Sequence, residues 1–243
     1  NLLISAGKPA DYLDPVYTCV QCHDTGYINS RKCSCFNKKA IDLVYHDSNL
    51  KNITDNENFD TFSYEWYDNT TPDPSNGLTP YHNMQRIVDI CHKFVDNFDK
   101  EAANILFFGG TGTGKTFLSN CIARELLNTS HSVIYLTAIE LFTTFQRQDF
   151  SRFGEDKDSD ANYLSDCDLL IIDDLGTELN NSFTSSQLFY CINERMNMNR
   201  STIISTNLSL TQLRDSYTDR VTSRIMRYRI IPLYGRDIRL LKR

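Results

Sequence analysis

No stretch of the chain approaches the roughly 20 consecutive apolar residues that a membrane-spanning helix needs, so a helical membrane protein is excluded and no membrane partner is expected. A secretory signal pattern is also missing, which points to a reducing cytoplasm and not to an exported, disulfide-built domain. The chain begins at Asn1 and not at Met, so residues upstream are expected. There is no internal repeat and no low-complexity tract, which removes solenoids and disordered tails from consideration. An overall basic excess is absent too: the formal net charge is −6, which argues against indiscriminate adhesion to nucleic acid. What remains, with 40% hydrophobic and 23% charged residues over 243 positions, is ordinary soluble globular chemistry with room for one α/β core and a small accessory module.

The charge is unevenly spread. Between Arg220 and Arg243 lie eight basic residues against the single acid Asp237. The eight cysteines are uneven as well. Cys91, Cys121, Cys167 and Cys191 are isolated in apolar surroundings and read as small core residues. Cys19, Cys22, Cys33 and Cys35 cluster within seventeen residues, a thiolate number sufficient for a tetrahedral structural zinc site. The first pair has knuckle spacing, the second is tighter than usual, and reduced free thiols or a redox disulfide are the alternatives. His23 could replace one ligand, although adjacency to Cys22 makes that awkward.

Three segments follow. Residues 1–46 form a cysteine-bearing module that cannot bury a core without a staple such as zinc. Residues 47–80 are a polar connector carrying Phe59, Phe62, Tyr64, Trp66 and Tyr67, expected to fold against the main domain through these aromatics. Residues 81–243 alternate helical and strand signals. Met84, Ile87, Val88, Cys91, Val95 and Phe98 keep helical spacing, Ile105–Phe108 is a short buried-strand run, and Leu118, Ile122 and Leu126 return to period 3.6. Val133–Leu136 is the second strand, and Thr137 with Glu140 forms a capping-box pattern opening a helix. The spacing then predicts a charged loop over 149–162, strands at 169–172, 202–205 and 230–233, a helix over 187–198 and short helices over 210–227. Strands separated by helices require right-handed crossovers and a mainly parallel sheet covered on both faces.

The chemistry is carried by Gly109-Gly110-Thr111-Gly112-Thr113-Gly114-Lys115-Thr116, between the first strand of this domain and a helix. Glycines let successive backbone N–H groups turn onto phosphate oxygens, and the helix N-terminus adds its positive end. Gly110 to Gly114, with Lys115, Thr116 and Phe117, are therefore the expected ATP or ADP contacts. Lys115 reaches the β and γ phosphates, and the Thr116 hydroxyl binds Mg²⁺. Such a site needs a carboxylate at the end of a neighbouring strand, and Leu169-Leu170-Ile171-Ile172-Asp173-Asp174 supplies two. Asp173 is the expected magnesium ligand through water, and Asp174 the group that polarises the attacking water, with Glu178 a weaker alternative. Asn207, after the fourth strand, offers a neutral amide to the water or to the γ-phosphate.

Together these motifs, with Ser205-Thr206-Asn207-Leu208-Ser209 and Asp219-Arg220-Val221-Thr222-Ser223-Arg224, resemble an AAA+ ATPase of the DnaC/DnaI helicase-loader and IstB group over about residues 81–243. The resemblance implies a P-loop NTPase with a mainly parallel five-stranded sheet flanked by helices. It makes Asn207 the first sensor and Arg224 the finger that reaches a neighbouring copy's ATP, so that the chain associates with itself. Arg220 and Arg224 lie four apart and share a helix face. Tyr17 to Tyr27 is similar to the cysteine segment ahead of the ATPase domain in DnaI-like loaders. The second-sensor lid is hard to find, and Arg239 is left without a nucleotide role. The implied function is ATP-dependent loading of a replicative hexameric helicase with binding of single-stranded DNA. The alternatives are an IstB-like helper of a transposase and a nucleotide-switched binding module. A metabolic P-loop kinase is disfavoured, since lid arginines and an acceptor motif are absent.

Overall fold

The computed structural model describes residues 2–5, 7–9, 12–29, 31–33, 35, 36, 39, 56–74, 76–129, 131–151, 160–179 and 181–241, in two compact units, 1–40 and 41–243. In the first, a one-turn helix, α1 (Leu2–Ser5), precedes a two-stranded antiparallel hairpin, β1 (Tyr27–Ile28) and β2 (Arg31–Lys32).

The second unit is a parallel sheet of five strands, β3 (Asn104–Gly109), β4 (Val133–Thr137), β5 (Leu169–Leu175), β6 (Ser201–Thr206) and β7 (Arg229–Leu233), in the order β4-β5-β6-β3-β7. Around it run α2 (Pro80–Asp96), α3 (Lys115–Asn128), α4 (Ala138–Ser151), α5 (Asp160–Asp166), α6 (Ser182–Asn197), α7 (Leu210–Ser216), α8 (Asp219–Ile225) and α9 (Ile238–Leu241). No described helix is long and apolar enough to cross a membrane.

The strands are continuous apolar runs because both faces are covered: Ile105, Leu106, Phe107 and Leu169 to Ile172 are all buried. Local chemistry sets the helix ends. Thr79 caps α2 with Pro80 in the first turn, and its hydroxyl accepts the His82 N–H at 3.3 Å. Thr137 and Glu140 form the expected capping box: Glu140 accepts from the Thr137 N–H at 2.8 Å, and Thr137 Oγ1 accepts the Glu140 N–H. The four isolated cysteines are buried as expected.

Three expectations need correction. Residues 149–151 close α4 and 160–162 open α5, so the expected loop over 149–162 is shorter, its centre lying outside the described residues. Helix α6 starts five residues before the predicted position, because Asn181 and Thr184 form a capping box. Strand β5 runs through Asp173 and Asp174 to Leu175 and does not stop at Ile172. A register shift between Ile172 and Leu175, where Asp174 has φ 54°, breaks its pairing with β6. A regular pleat sends neighbouring side chains to opposite faces; this bulge instead lets two adjacent acids serve one site.

Arg195 of α6 is fully buried, and among the described residues no carboxylate takes part in its hydrogen bonds. Its guanidinium donates to the carbonyls of Leu164, Cys167 and Ser201 and to Thr202 Oγ1, tying α6 to the entry of β5 and β6. Those carbonyls replace the lost hydration of the charge.

Candidate nucleotide site and cysteine cluster

Strands β3, β5 and β6 all end at the same edge of the sheet, the edge where a parallel sheet exposes its loops to ligands. The loop after β3 holds its shape through glycine conformations: Gly109, Gly112 and Gly114 have φ 150°, 70° and 102°. A Cβ on Gly114 would also lie 2.6 Å from the Tyr67 hydroxyl, which donates to the Thr113 carbonyl at 3.2 Å.

Lys115 is buried, and its ammonium donates to the carbonyls of Gly109 at 2.9 Å and Gly110 at 2.7 Å and to Asn207 Oδ1 at 2.8 Å. Burial lowers the lysine pKa, while Asp174 and Asp173 oppose that shift. The Thr116 hydroxyl donates to Asp173 Oδ2 at 3.0 Å. The same oxygen accepts from the Tyr135 hydroxyl at 2.5 Å, and Ser205 Oγ donates to Oδ1. Asp174 stands beside them, its Oδ1 accepting from Asn207 Nδ2 at 3.4 Å. Burial, then the charge of Asp173, raises the Asp174 carboxyl above its ordinary value.

Lys115, Thr116, Asp174 and Asn207 line one cleft of about 250 Å³ together with Thr111, Gly112, Gly114 and Phe117. Asp173 lies buried behind Thr116. The opposite wall comes from the connector: Glu57, Thr61, Phe62, Ser63, Trp66 and Tyr67. Phe62 sits edge-on to Phe117 at 5.6 Å between ring centroids and stacks on Tyr67 at 6.0 Å. The aromatic patch was visible in the sequence, but its place against the phosphate loop was not. Ile238 and Arg239 close the cleft, with the Ile238 N–H donating to the Gly112 carbonyl at 3.0 Å.

Two groups stand elsewhere. Glu178 is held by the Tyr217 hydroxyl and accepts the Gly176 N–H at 2.9 Å, so it does not reach the cleft. Arg224, on α8, is absent from the cleft lining. Its Nε donates to Asn193 Oδ1 at 3.1 Å and its guanidinium covers the Phe189 ring at 5.5 Å, while Arg220 on the same helix is exposed.

A hydroxyl and a carboxylate meeting at 3.0 Å, beside a buried ammonium and a glycine-built turn, are hard oxygen donors and a polyanion cradle. This donor set fits Mg²⁺ and a nucleoside phosphate.

In the N-terminal unit the Sγ atoms of Cys19, Cys22, Cys33 and Cys35 lie within 4.8 Å of one another; Cys19 and Cys33 are 3.8 Å apart, Cys22 and Cys35 3.3 Å. Tetrahedral Zn–S bonds of about 2.3 Å imply sulfur–sulfur edges of roughly 3.8 Å, so four thiolates placed this way fit zinc. The turn between the pairs uses left-handed residues, His23 at φ 50°, Asp24 at 61° and Gly26 at 77°. The Asp24 carboxylate accepts the N–H groups of Thr18 at 2.9 Å and Cys19 at 2.8 Å, which holds its carboxyl below the usual range. His23 stacks on Tyr17 and is not part of the sulfur cluster.

Comparison with known proteins accords with this geometry. The family model described as IstB-like ATP binding protein matches residues 84–232. The replicative helicase loader DnaC of Escherichia coli strain K12 is 28% identical over 133 residues, 55% of this chain and 54% of its own. The DnaC of Buchnera aphidicola subsp. Baizongia pistaciae is 26% identical over 145 residues, 60% and 59% of the two chains. The chain thus spans about half the length of these relatives. Among solved structures, a crystal structure of the DnaC helicase loader aligns with TM-score 0.59 and 22% identity, covering 75% of this chain and 99% of that one. The replication initiator DnaA bound to AMPPCP and single-stranded DNA aligns with TM-score 0.55 and 20% identity, covering 63% and 46%. At these identities the likeness of structures carries the fold.

Proposed function

The chain belongs to the IstB-like ATP binding protein family, as a DnaC/IstB-type AAA+ ATPase, and from that premise we propose that it is an ATP-dependent loader of a replicative hexameric DNA helicase that binds ATP·Mg²⁺ and single-stranded DNA. The observation that carries the nucleotide part is the convergence of Lys115, Thr116, Asp173, Asp174 and Asn207 at one sheet edge. Lys115 leaves the Gly109 and Gly110 carbonyls to meet the β and γ phosphates. Gly110 to Phe117 enclose the phosphate chain, and Thr116 with Asp173 would hold the magnesium, which supplies charge neutralisation of the phosphates. Asp174 and Asn207 orient the attacking water, and Asp174 takes up its proton. Arg224 completes the charge neutralisation in the site of a neighbouring copy, which makes self-association part of turnover. In the N-terminal module, Cys19, Cys22, Cys33 and Cys35 would hold a structural zinc that staples a segment too short for its own core. The 47–80 connector then serves the ATPase domain 81–243 by enclosing the nucleotide, and the 1–46 module is the zinc-bearing unit.

The helicase and DNA assignments rest on the DnaC relatives and on the basic run from Arg220 onward. A second reading is favoured by the IstB-like description of the matching family: the same ATPase serving a DNA transposase. The deciding experiment measures ATP hydrolysis with and without single-stranded DNA and the source organism's replicative helicase, while following complex size, with Lys115→Ala as the inactive control. DNA-stimulated turnover within a helicase complex supports the loader. Turnover without helicase association refutes it in favour of the transposase helper, and nucleotide binding without stimulated turnover leaves a binding switch.

A further inference from the structure

Asp173 is gripped from three elements. Thr116 approaches from α3, Tyr135 from β4 and Ser205 from β6, and β4 and β6 are the two sheet neighbours of β5. The register explains the reach. Thr137 pairs with Asp173 and Tyr135 with Ile171, so Tyr135 lies on the same sheet face as Asp173, two residues along, a diagonal that a long aromatic side chain spans. Ile204 pairs with Ile172, which puts Ser205 beside Asp173 where the register breaks. Ser205 Oγ also accepts the Asp174 N–H at 3.0 Å, so one hydroxyl ties the two acids together.

An ionised carboxylate offers about four acceptor positions. Two on Oδ2 are filled by Thr116 and Tyr135, and one on Oδ1 by Ser205. Thr116 is the hydroxyl that a phosphate loop turns toward its metal, and its departure opens one Oδ2 position in that direction. Tyr135 and Ser205 then remain as the donors that fix the carboxylate plane. Tyr135 lies outside the motifs that mark the site, and Ser205 opens the segment that contains Asn207 without a role assigned to it there.

We propose that Tyr135, with Ser205, is a positioning residue that holds the Asp173 carboxylate in the orientation required for Mg²⁺ and so sets the magnesium requirement of nucleotide binding. This rests on the nucleotide reading above. Outer donors of this kind typically change metal affinity about 10- to 100-fold when removed.

The test is a Mg²⁺ titration of the full chain with a fluorescent, non-hydrolysable ATP analogue, comparing the parent with Tyr135→Phe, which deletes one oxygen. The expected result is a half-saturating Mg²⁺ concentration raised about 10-fold or more, with affinity measured in EDTA unchanged. Ser205→Ala should shift the same curve and Ser205→Thr, which keeps the hydroxyl, should restore it. If Tyr135→Phe does not fold, the serine pair decides. Superimposable Mg²⁺ curves, or a lowered melting temperature with an unmoved curve, overturn the inference alone. A parent chain without Mg²⁺-dependent nucleotide binding overturns the nucleotide reading and this inference with it.

Discussion

Replacing Asp174 with asparagine separates chemistry from binding at the proposed site. The side chain is nearly isosteric, asparagine tolerates the left-handed φ of 54°, and the backbone N–H to Ser205 is unaffected. What disappears is a base within 3.4 Å of the Asn207 amide. A positioned general base contributes about 10²- to 10⁴-fold, so kcat should fall by that factor, equivalent to about 2.7–5.4 kcal/mol. Nucleotide affinity should hold or tighten, since a negative charge facing the phosphates is removed. Stability should move the other way from activity. The folded-state pKa of Asp174 is raised by burial and by Asp173, so the ionised group costs the folded state once the pH exceeds that pKa. At neutral pH the neutral amide removes the penalty, and the melting temperature should be equal or higher. For the same reason the acid limb of the parent's turnover should have its midpoint above the ordinary carboxylate value of 3.8. Single-turnover hydrolysis, equilibrium binding of a fluorescent nucleotide and a thermal melt test all three. Parental turnover in Asp174→Asn, or turnover lost together with several degrees of melting temperature, would refute the reasoning.

Arg224→Ala removes a cation stacked on Phe189 and bonded to Asn193, contacts together worth about 1 kcal/mol within one chain. Nucleotide binding should persist, whereas turnover at high protein concentration should fall by about 10³-fold or more and lose its dependence on protein concentration, read from rates over a dilution series. Cys33→Ser should lower zinc from one ion per chain to none and make residues 1–40 sensitive to proteolysis, with nucleotide affinity retained. Metal analysis that finds no zinc in the parent would remove the staple argument.

The place of the glycine loop after β3 was legible because the motif is written in consecutive residues, and the gathering of Asp173 and Asn207 beside it because a parallel sheet brings its strand ends to one edge. Side-chain partners were not legible. The apolar run Val133–Leu136 placed Tyr135 in a strand, but the carboxylate it meets depends on the register between strands, the two residues being 38 apart in sequence. The connector aromatics were a recognisable patch whose contact with Gly114 and Phe117 is purely tertiary. The Ser- and Thr-rich stretch Ser182–Ser186, with Phe183 as its one apolar residue, hid the start of α6, since Asn181 and Thr184 cap it without an acidic residue. Nothing in the sequence singles out Arg195; only the carbonyls that the fold brings round it make its burial possible.

The strand that carries the phosphate loop sits between β6 and β7, with Asn104 opposite Thr202 and Ile105 opposite Arg229. As the chain is synthesised, that strand has no partner on either side for about a hundred residues, and its glycine loop has neither Asn207 nor Ile238 to close it. Pairings so distant in sequence form late and slowly. The proposed nucleotide site is therefore among the last parts to assemble, so a bound nucleotide would stabilise the finished domain without templating the early steps of its folding.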